Sequence, residues 1–306
     1  MLPFKLVYHE RYDLRLGPHV FPSQKYRLVH DALLSSHAAD PSDFCAPQPS
    51  TDDDVRLVHT PEWVDKLRHN RLSLSECMLL EIPYSKEGVE AFWLAAGGSI
   101  LAGRLALVDG VGVSIGGGFH HAFPGHGEGF CMIHDVAIAI RRLQADGAIG
   151  KCMVVDTDVH QGNGTAAIFA ADRSVFTLSL HQRNNYPVPK QQSDLDINLE
   201  DGVEDREYLA ALSQGLVEAF SSPFQPDLIF YVAGADPYRE DQLGGLRLSV
   251  EGLRRRDELV FKTARRRKVP VAVTLAGGYA RNVEDTVQIH VNTILAARDV
   301  AVSEIA

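Results

Sequence analysis

Cysteine is scarce in this chain of 306 residues, and its four cysteines form no closely spaced pair. Cys45, Cys77, Cys131 and Cys152 lie far apart, which argues against a disulfide framework and against a structural zinc knuckle. The sequence also lacks the basic segment and following apolar run of a secretory signal. These absences together predict a cytoplasmic protein.

Long apolar runs and an excess of positive charge are also missing. The longest uncharged apolar stretch, Ala91 to Gly103, is shorter than the roughly 20 residues that span a bilayer, so no membrane partner is expected. Asp and Glu outnumber Lys and Arg by 40 to 30, which makes nucleic acid an unlikely partner. Because 45% of the residues are apolar, they can supply one large core. The oligomeric state is left open.

From about residue 90 the chain alternates helical stretches with short, continuously apolar runs. This pattern is typical of a parallel sheet that is covered on both faces. Strands are predicted at residues 112–115, 152–155, 175–180, 228–232 and 269–275. Helices are predicted at residues 88–108, 134–146, 205–220, 250–267 and 283–297. The predicted fold class is α/β, with three α/β/α layers around a mainly parallel central sheet.

Two polar segments are predicted to lie on the surface. Residues 39–54 are rich in Pro, Ser and Asp, a composition typical of a surface excursion. Arg254, Arg255 and Arg256 fall within the predicted helix 250–267 and are expected on its solvated face. Neither segment is therefore expected to divide the chain or to bind nucleic acid.

Residues of the types that bind metals or transfer protons follow the predicted strands. The strand ends run into residues 116–121 (GGGFHH), 156–160 (DTDVH), 179–181 (SLH), 234–236 (GAD) and 277–279 (GGY). In an open parallel sheet, ligands bind beyond the carboxyl ends of the strands. These five segments are therefore expected to converge on one site. Because they span most of the second half of the chain, this convergence predicts that residues 1–306 form a single domain.

Three of these residues form a candidate metal site. Asp158 and His160 are two positions apart, so an extended backbone directs both side chains the same way, and Asp236 can supply a third ligand. Two carboxylates and one imidazole leave a coordination position open, as a catalytic zinc requires. A zinc ion there would activate water and polarise a carbonyl group, so amide or ester hydrolysis is the expected chemistry.

Five further residues complete the set of groups that hydrolysis needs. His120 and His121 can serve as acid and base, and Asp156 and Asn163 are candidates to orient their rings. Tyr279 follows two glycines and can direct its hydroxyl group at a developing oxyanion. The pattern therefore predicts metal-assisted hydrolysis.

Six motifs occur in a fixed order along the chain. They are GGGFHHA (116–122), GEGFCMIHD (127–135), DTDVHQGNG (156–164), LSLH (178–181), AGADP (233–237) and AGGY (276–279). This order resembles the zinc-dependent histone deacetylase family of the arginase/deacetylase fold. The sequence HQGNG in place of HHGDG, together with Tyr8-His9 and residues 21–26 (FPSQKY), resembles class IV, the branch of histone deacetylase 11 and its bacterial relatives.

The resemblance implies a role for each matching position. It implies metal ligation by Asp158, His160 and Asp236, and catalysis by His120, His121, Asp156, Asn163 and Tyr279. It implies a substrate-binding wall at Gly129, Phe130, Tyr186, Leu243, Gly277 and Gly278. It also implies a potassium ion near Asp156, Asp158, His160, Ser179 and Leu180. One departure is the loop 82–87, where no counterpart is found for the acidic residue with which class I members hold the peptide backbone.

The function that the resemblance implies is zinc-dependent hydrolysis of N6-acyl-lysine, with acetyl or longer acyl groups, in a protein or peptide partner. One alternative is an amidohydrolase of small acylated amines such as acetylpolyamines. Enzymes of that kind narrow their entrance with an insertion, and none is evident here. Another alternative is a non-catalytic acyl-lysine scaffold, against which the complete set of catalytic residue types argues.

Overall fold

The computed structural model describes residues 1–221 and 223–303. Its centre is an eight-stranded sheet in which every neighbouring pair is parallel. The strands are β1 (Lys5–Val7), β2 (Phe44–Cys45), β3 (Val111–Ser114), β4 (Cys152–Asp156), β5 (Val175–Gln182), β6 (Leu195–Leu199), β7 (Leu228–Val232) and β8 (Val271–Thr274). Their order across the sheet is β2-β1-β3-β8-β7-β4-β5-β6.

Helices surround the sheet. They are α1 (Lys25–Ser35), α2 (Asp52–Arg56), α3 (Pro61–Arg68), α4 (Leu74–Leu80), α5 (Lys86–Asp109), α6 (Asp135–Ala145), α7 (Asn163–Phe169), α8 (Asp205–Ser221), α9 (Val250–Arg267) and α10 (Val283–Val302). Helix α5 packs against α6 and β3, whereas α9 packs against α8 and α10. The predicted α/β class, with its parallel central sheet, is confirmed.

The central strands are buried because helices cover both faces of the sheet. Every residue of β4 and of β7 is buried, so their apolar runs show no alternation with polar residues. Helix α5 is long and apolar enough by composition alone to cross a bilayer, but 72% of its most apolar window is buried inside the protein. Its apolar surface is therefore used in packing against β3 and α6.

The segment 39–54 is more than the predicted surface excursion, since it contains the edge strand β2. This strand pairs in parallel with β1, placing Phe44 beside Leu6. The carboxylate of Asp43 accepts hydrogen bonds from the backbone N–H groups of Leu2 (3.0 Å) and Asp40 (2.9 Å). The polar residues thus form a capped turn that leads into a strand, which their composition alone did not reveal.

The prediction of a solvated arginine face is wrong for Arg256, whose side chain is 0% exposed. Its Nη1 donates to the carbonyl oxygen of Gly234 (2.5 Å), and its Nη2 lies 2.8 Å from Asp257 Oδ1. Asp257 also accepts hydrogen bonds from the hydroxyl groups of Tyr231 (2.5 Å) and Thr293 (2.7 Å). The helical period places this pair on the core face of α9, where the neighbouring arginines do not point.

Candidate active site

The three candidate metal ligands come from two neighbouring strand ends. Asp158 and His160 follow β4, and Asp236 follows β7, the strand beside β4 in the sheet. All three side chains are buried, and one donor atom from each lies within 4.8 Å of the others. The structure therefore brings together the ligand set that the sequence predicted.

Hydrogen bonds hold these carboxylates in place. Asp158 Oδ2 accepts the backbone N–H of Gly277 (2.9 Å), and Asp236 Oδ1 accepts that of Val159 (2.9 Å). His160 Nδ1 lies 3.1 Å from Asp158 Oδ1 and 3.3 Å from Asp236 Oδ2. Asp236 Oδ2 is itself buried without a hydrogen bond of good geometry from the described residues. A buried carboxylate oxygen in this state has a lone pair available for a cation.

The electrostatics of the cluster also favour a cation. Burial and the nearby Asp158 carboxylate raise the pKa of Asp236 to about 7. Burial alone would lower the pKa of His160, but Asp158 and Asp236 outweigh it and raise that pKa to about 10. The three residues together hold a proton readily, and a divalent cation bound between them would displace that proton.

Gly277 allows its backbone to approach the ligands closely. A Cβ atom there would lie 2.1 Å from Asp236 Oδ2 and 2.4 Å from Asp158 Oδ2, closer than real contacts allow. Glycine is therefore required for the N–H group of this residue to reach the Asp158 carboxylate.

His120 and His121 lie side by side, with ring centroids 4.1 Å apart. They follow β3 through a glycine turn in which Gly117 has φ +94°. His120 Nδ1 lies 2.7 Å from Asp156 Oδ2, and His121 Nδ1 lies 2.7 Å from Asn163 Oδ1. Each imidazole thus has the orienting partner that the sequence predicted for it.

Burial and neighbouring charges shift the pKa values of the two histidines in opposite directions. Burial alone would lower the pKa of His120, but Asp156 and Asp158 outweigh it and raise that pKa to about 9. Burial, together with the positive charges of His120 and His160, lowers the pKa of His121 well below its usual value. Opposite pKa shifts in neighbouring imidazoles suit His120 to the role of acid and His121 to the role of base.

Tyr279 is buried beside the candidate metal site, and its ring centroid lies 6.3 Å from that of His160. Burial, together with the Asp158 and Asp236 carboxylates, raises the pKa of Tyr279 well above its usual value, so its hydroxyl group keeps its proton. The backbone N–H of Tyr279 donates to Asp241 Oδ2 (2.7 Å). The residue can therefore act as a fixed hydrogen-bond donor.

A cavity of about 420 Å³ leads to these groups. Four of the predicted wall residues line it, namely Gly129, Phe130, Tyr186 and Leu243, together with His19, Glu81, His121, His160, Asn185 and Tyr279. Gly277 lines a smaller inner void of about 20 Å³. Gly278 packs elsewhere, since a Cβ there would lie 2.8 Å from Thr286 Cγ2 and 2.9 Å from Ala235 Cβ.

The residues predicted to surround a potassium ion lie at the adjoining ends of β4 and β5. The register pairs Asp156 with Ser179, and Leu180 follows on β5. Asp158 and His160 continue from β4, and all five residues are buried. The five residues therefore lie at one place in the fold. The Asp156 carboxylate also contacts His120, and Asp158 also belongs to the candidate metal site.

Sequence reasoning missed four residues of the site. Glu128 bonds to Asn163 and Tyr186, Asp241 holds the backbone of Tyr279, and Glu81 lines the cavity one position before the loop that was searched for an acidic residue. Lys25 is fully buried, donates to the carbonyl oxygen of Ala276 (2.6 Å), and has its pKa lowered to about 8 by burial. Glu128 and Lys25 lay within quoted segments, but nothing in the sequence indicated their partners.

Known proteins resemble this chain over nearly its whole length. The family model described as "Histone deacetylase domain" matches residues 19–294. An uncharacterized protein of Picosynechococcus sp. is 42% identical over 298 residues, 97% of this chain and 99% of that protein. Histone deacetylase 2 of Arabidopsis thaliana is 29% identical over 300 residues, 92% of this chain and 77% of the relative.

A solved structure shares the architecture. The crystal structure of the HDA15 HD domain superposes with a TM-score of 0.80 and 26% sequence identity, covering 96% of this chain and 88% of that one. Since the family model spans most of the chain and the fold agrees, this chain belongs to the histone deacetylase family.

Proposed function

We propose that this protein hydrolyses the amide bond of N6-acyl-lysine side chains, acetyl or longer, in proteins or peptides. The observation that carries the proposal is the pair of adjacent histidines, one backed by a carboxylate and the other by a carboxamide, beside a buried three-residue cluster at the end of a cavity. Amide hydrolysis needs both a base for water and an acid for the departing amine.

Asp158, His160 and Asp236 would hold a divalent cation, which we propose to be zinc. When bound, zinc supplies a Lewis acid that polarises the carbonyl group and lowers the pKa of water. Two carboxylates and one imidazole fit such an ion, and Asp236 Oδ2 accepts no hydrogen bond of good geometry from the part of the chain that the structure describes.

The remaining residues act on protons and on the carbonyl oxygen. His121 Nδ1 is engaged by Asn163, so its Nε2 is free to accept a proton from the attacking water. Tyr279 donates its hydroxyl hydrogen to the carbonyl oxygen as negative charge develops there. His120 carries a proton that the leaving lysine amine can receive when the C–N bond breaks. The products are a carboxylate and a free lysine side chain.

We place the protein within class IV of the family. HQGNG in place of HHGDG supports this assignment, as does the N-terminal segment with Tyr8-His9 and FPSQKY. We further propose a potassium ion near Asp156, Asp158, His160, Ser179 and Leu180. Its support is the register of β4 and β5, which brings Asp156 beside Ser179.

The test is a panel of lysine peptides carrying acyl groups from acetyl to myristoyl, together with acetylated polyamines, incubated with zinc-loaded protein. Mass spectrometry would follow many turnovers, and chelator-treated protein restored with zinc is the control. We expect free lysine peptide to accumulate beyond one equivalent of enzyme, which a scaffold cannot produce. Hydrolysis of polyamines alone would replace the proposed substrate class, and no hydrolysis of any substrate would overturn the enzymatic function.

A further inference from the structure

Glu128 stands at the centre of a hydrogen-bond network on the cavity wall. Its Oε1 accepts from Asn163 Nδ2 (2.7 Å) and from the Tyr186 hydroxyl group (2.6 Å), and its Oε2 lies 3.1 Å from His126 Nε2. The Glu128 side chain is only 15% exposed. Burial alone would raise the pKa of Glu128, but the bonds from His126, Tyr186 and Asn163 outweigh it, so the carboxylate is ionised.

This carboxylate determines which way the Asn163 side chain faces. A carboxamide has an acceptor oxygen on one side and a donor NH₂ on the other, so it can be turned either way by its surroundings. An ionised carboxylate only accepts hydrogen bonds, so Asn163 must direct Nδ2 to Glu128. Asn163 Oδ1 then faces His121 Nδ1 at 2.7 Å.

The orientation of Asn163 in turn selects the tautomer of His121. Because Asn163 Oδ1 can only accept, His121 Nδ1 must carry the hydrogen, and Nε2 keeps its lone pair. If the carboxamide turned over, its NH₂ group would face His121 Nδ1, and that nitrogen would have to become the acceptor. The hydrogen would then move to Nε2, the atom that must accept a proton from water.

We propose that Glu128 is a positioning residue matched to Asn163: it holds the Asn163 carboxamide in the one orientation that leaves His121 Nε2 free as a base. An aspartate at position 163 would place a negative charge directly beside His121. With Asn163, the negative charge is that of Glu128, one hydrogen bond further from His121. Through its second bond, to Tyr186, the same carboxylate ties this orientation to the cavity wall. The catalytic part of the inference rests on the proposed function, whereas the pairing of residues 128 and 163 does not.

A matched pair should fail when one member is changed and recover when both are. Asn163→Asp would place two carboxylates at a contact that is now 2.7 Å, and like charges at that distance repel. Glu128→Gln removes the requirement that residue 163 present its NH₂ group. In the double variant, the new carboxamide at position 128 can donate its N–H to the new carboxylate at position 163, so the hydrogen bond forms again with donor and acceptor exchanged.

The experiment compares Glu128→Gln, Asn163→Asp and the double variant in the full zinc-loaded chain. For each, kcat and KM are measured separately on one acyl-lysine peptide, and Tm is measured by calorimetry. Glu218→Gln, an exposed substitution on α8, is the matched control. We expect Glu128→Gln to lower kcat by about tenfold with little change in KM, as loss of a partner behind an orienting group typically does.

Asn163→Asp should lower both Tm and kcat. The kcat of the double variant should be roughly tenfold higher than the value obtained by multiplying the two single effects, because neighbouring residues in contact are coupled. Purely multiplicative effects, or a Glu128→Gln variant equal to the control, would overturn the proposal. If the wild type hydrolyses nothing, the proposed function fails but the Tm cycle still tests the pairing. Tm losses that simply add in the double variant would then refute it.

Discussion

Replacing Arg256 by methionine tests whether its buried charge stabilises the fold and positions the backbone near Asp236. The guanidinium group and the Asp257 carboxylate are both 0% exposed. Without Arg256, the Asp257 carboxylate would keep, among residues 1–221 and 223–303, the two hydroxyl donors of Tyr231 and Thr293. Removing one partner of such a buried pair costs about 3–5 kcal/mol of folding free energy. At about 2–4 °C per kcal/mol, the Tm should fall by about 6–20 °C.

The assay is thermal and urea unfolding of Arg256→Met beside Arg255→Met, an exposed neighbour on the same helix whose effect should stay within about 0.5 kcal/mol. Zinc affinity, measured by chelator competition, should also fall, because Arg256 holds the carbonyl of Gly234, two positions before Asp236. If Arg256→Met is too unstable to purify, Arg256→Lys keeps the charge and should give an intermediate loss. Equal Tm values for Arg256→Met and Arg255→Met would refute the reasoning.

Three further predictions concern two residues of the candidate site and the pH dependence of folding stability. Asp236→Ala should lose zinc as well as activity, since two ligands remain, and full zinc occupancy by elemental analysis would remove Asp236 from the ligand set. Tyr279→Phe should keep its zinc but lose about 10²–10³ in kcat, and activity within about twofold of wild type would contradict its role as carbonyl donor. Burial lowers the pKa of His59 to about 4, below its usual 6.5, so the contribution of neutral His59 to stability is complete above pH 6.5 and is lost as the pH falls towards 4. Urea unfolding should show a loss of about 3 kcal/mol over that range, from about 1.4 kcal/mol per pKa unit, and a His59→Gln variant with the same pH dependence would exclude His59 as its source.

The sequence predicted the strands most closely where both faces of the strand are buried. The runs that became β4 and β7 are apolar throughout because both faces of these strands are covered, so their positions could be predicted closely. The strands β1, β2 and β6 were missed because they are short or incompletely buried and leave no such run, and β2 and β6 are the two edges of the sheet. Pairing across the sheet, rather than local pattern, makes them strands.

Long-range contacts explain the other differences. Glu128 could not be connected with Tyr186, 58 positions away, because their hydrogen bond exists only once the fold brings them together. A run of three arginines looks like a solvated surface, and only the packing of α9 reveals that Arg256 is buried. The cytoplasmic location, the single domain, the potassium ion and the acyl-lysine partner stay predictions.

The order of strands in the sheet has a consequence for biosynthesis. β3 pairs with β8, so Val111 lies beside Val271 although 160 positions separate them. At about 5–20 residues per second, a ribosome needs roughly 8–32 s to make that stretch, during which one edge of β3 lacks its partner. Asp236 of the candidate metal cluster and Gly277, whose N–H binds Asp158, are also made late. The cation that we propose for this cluster would therefore meet all three ligands only in a chain synthesised at least as far as Asp236.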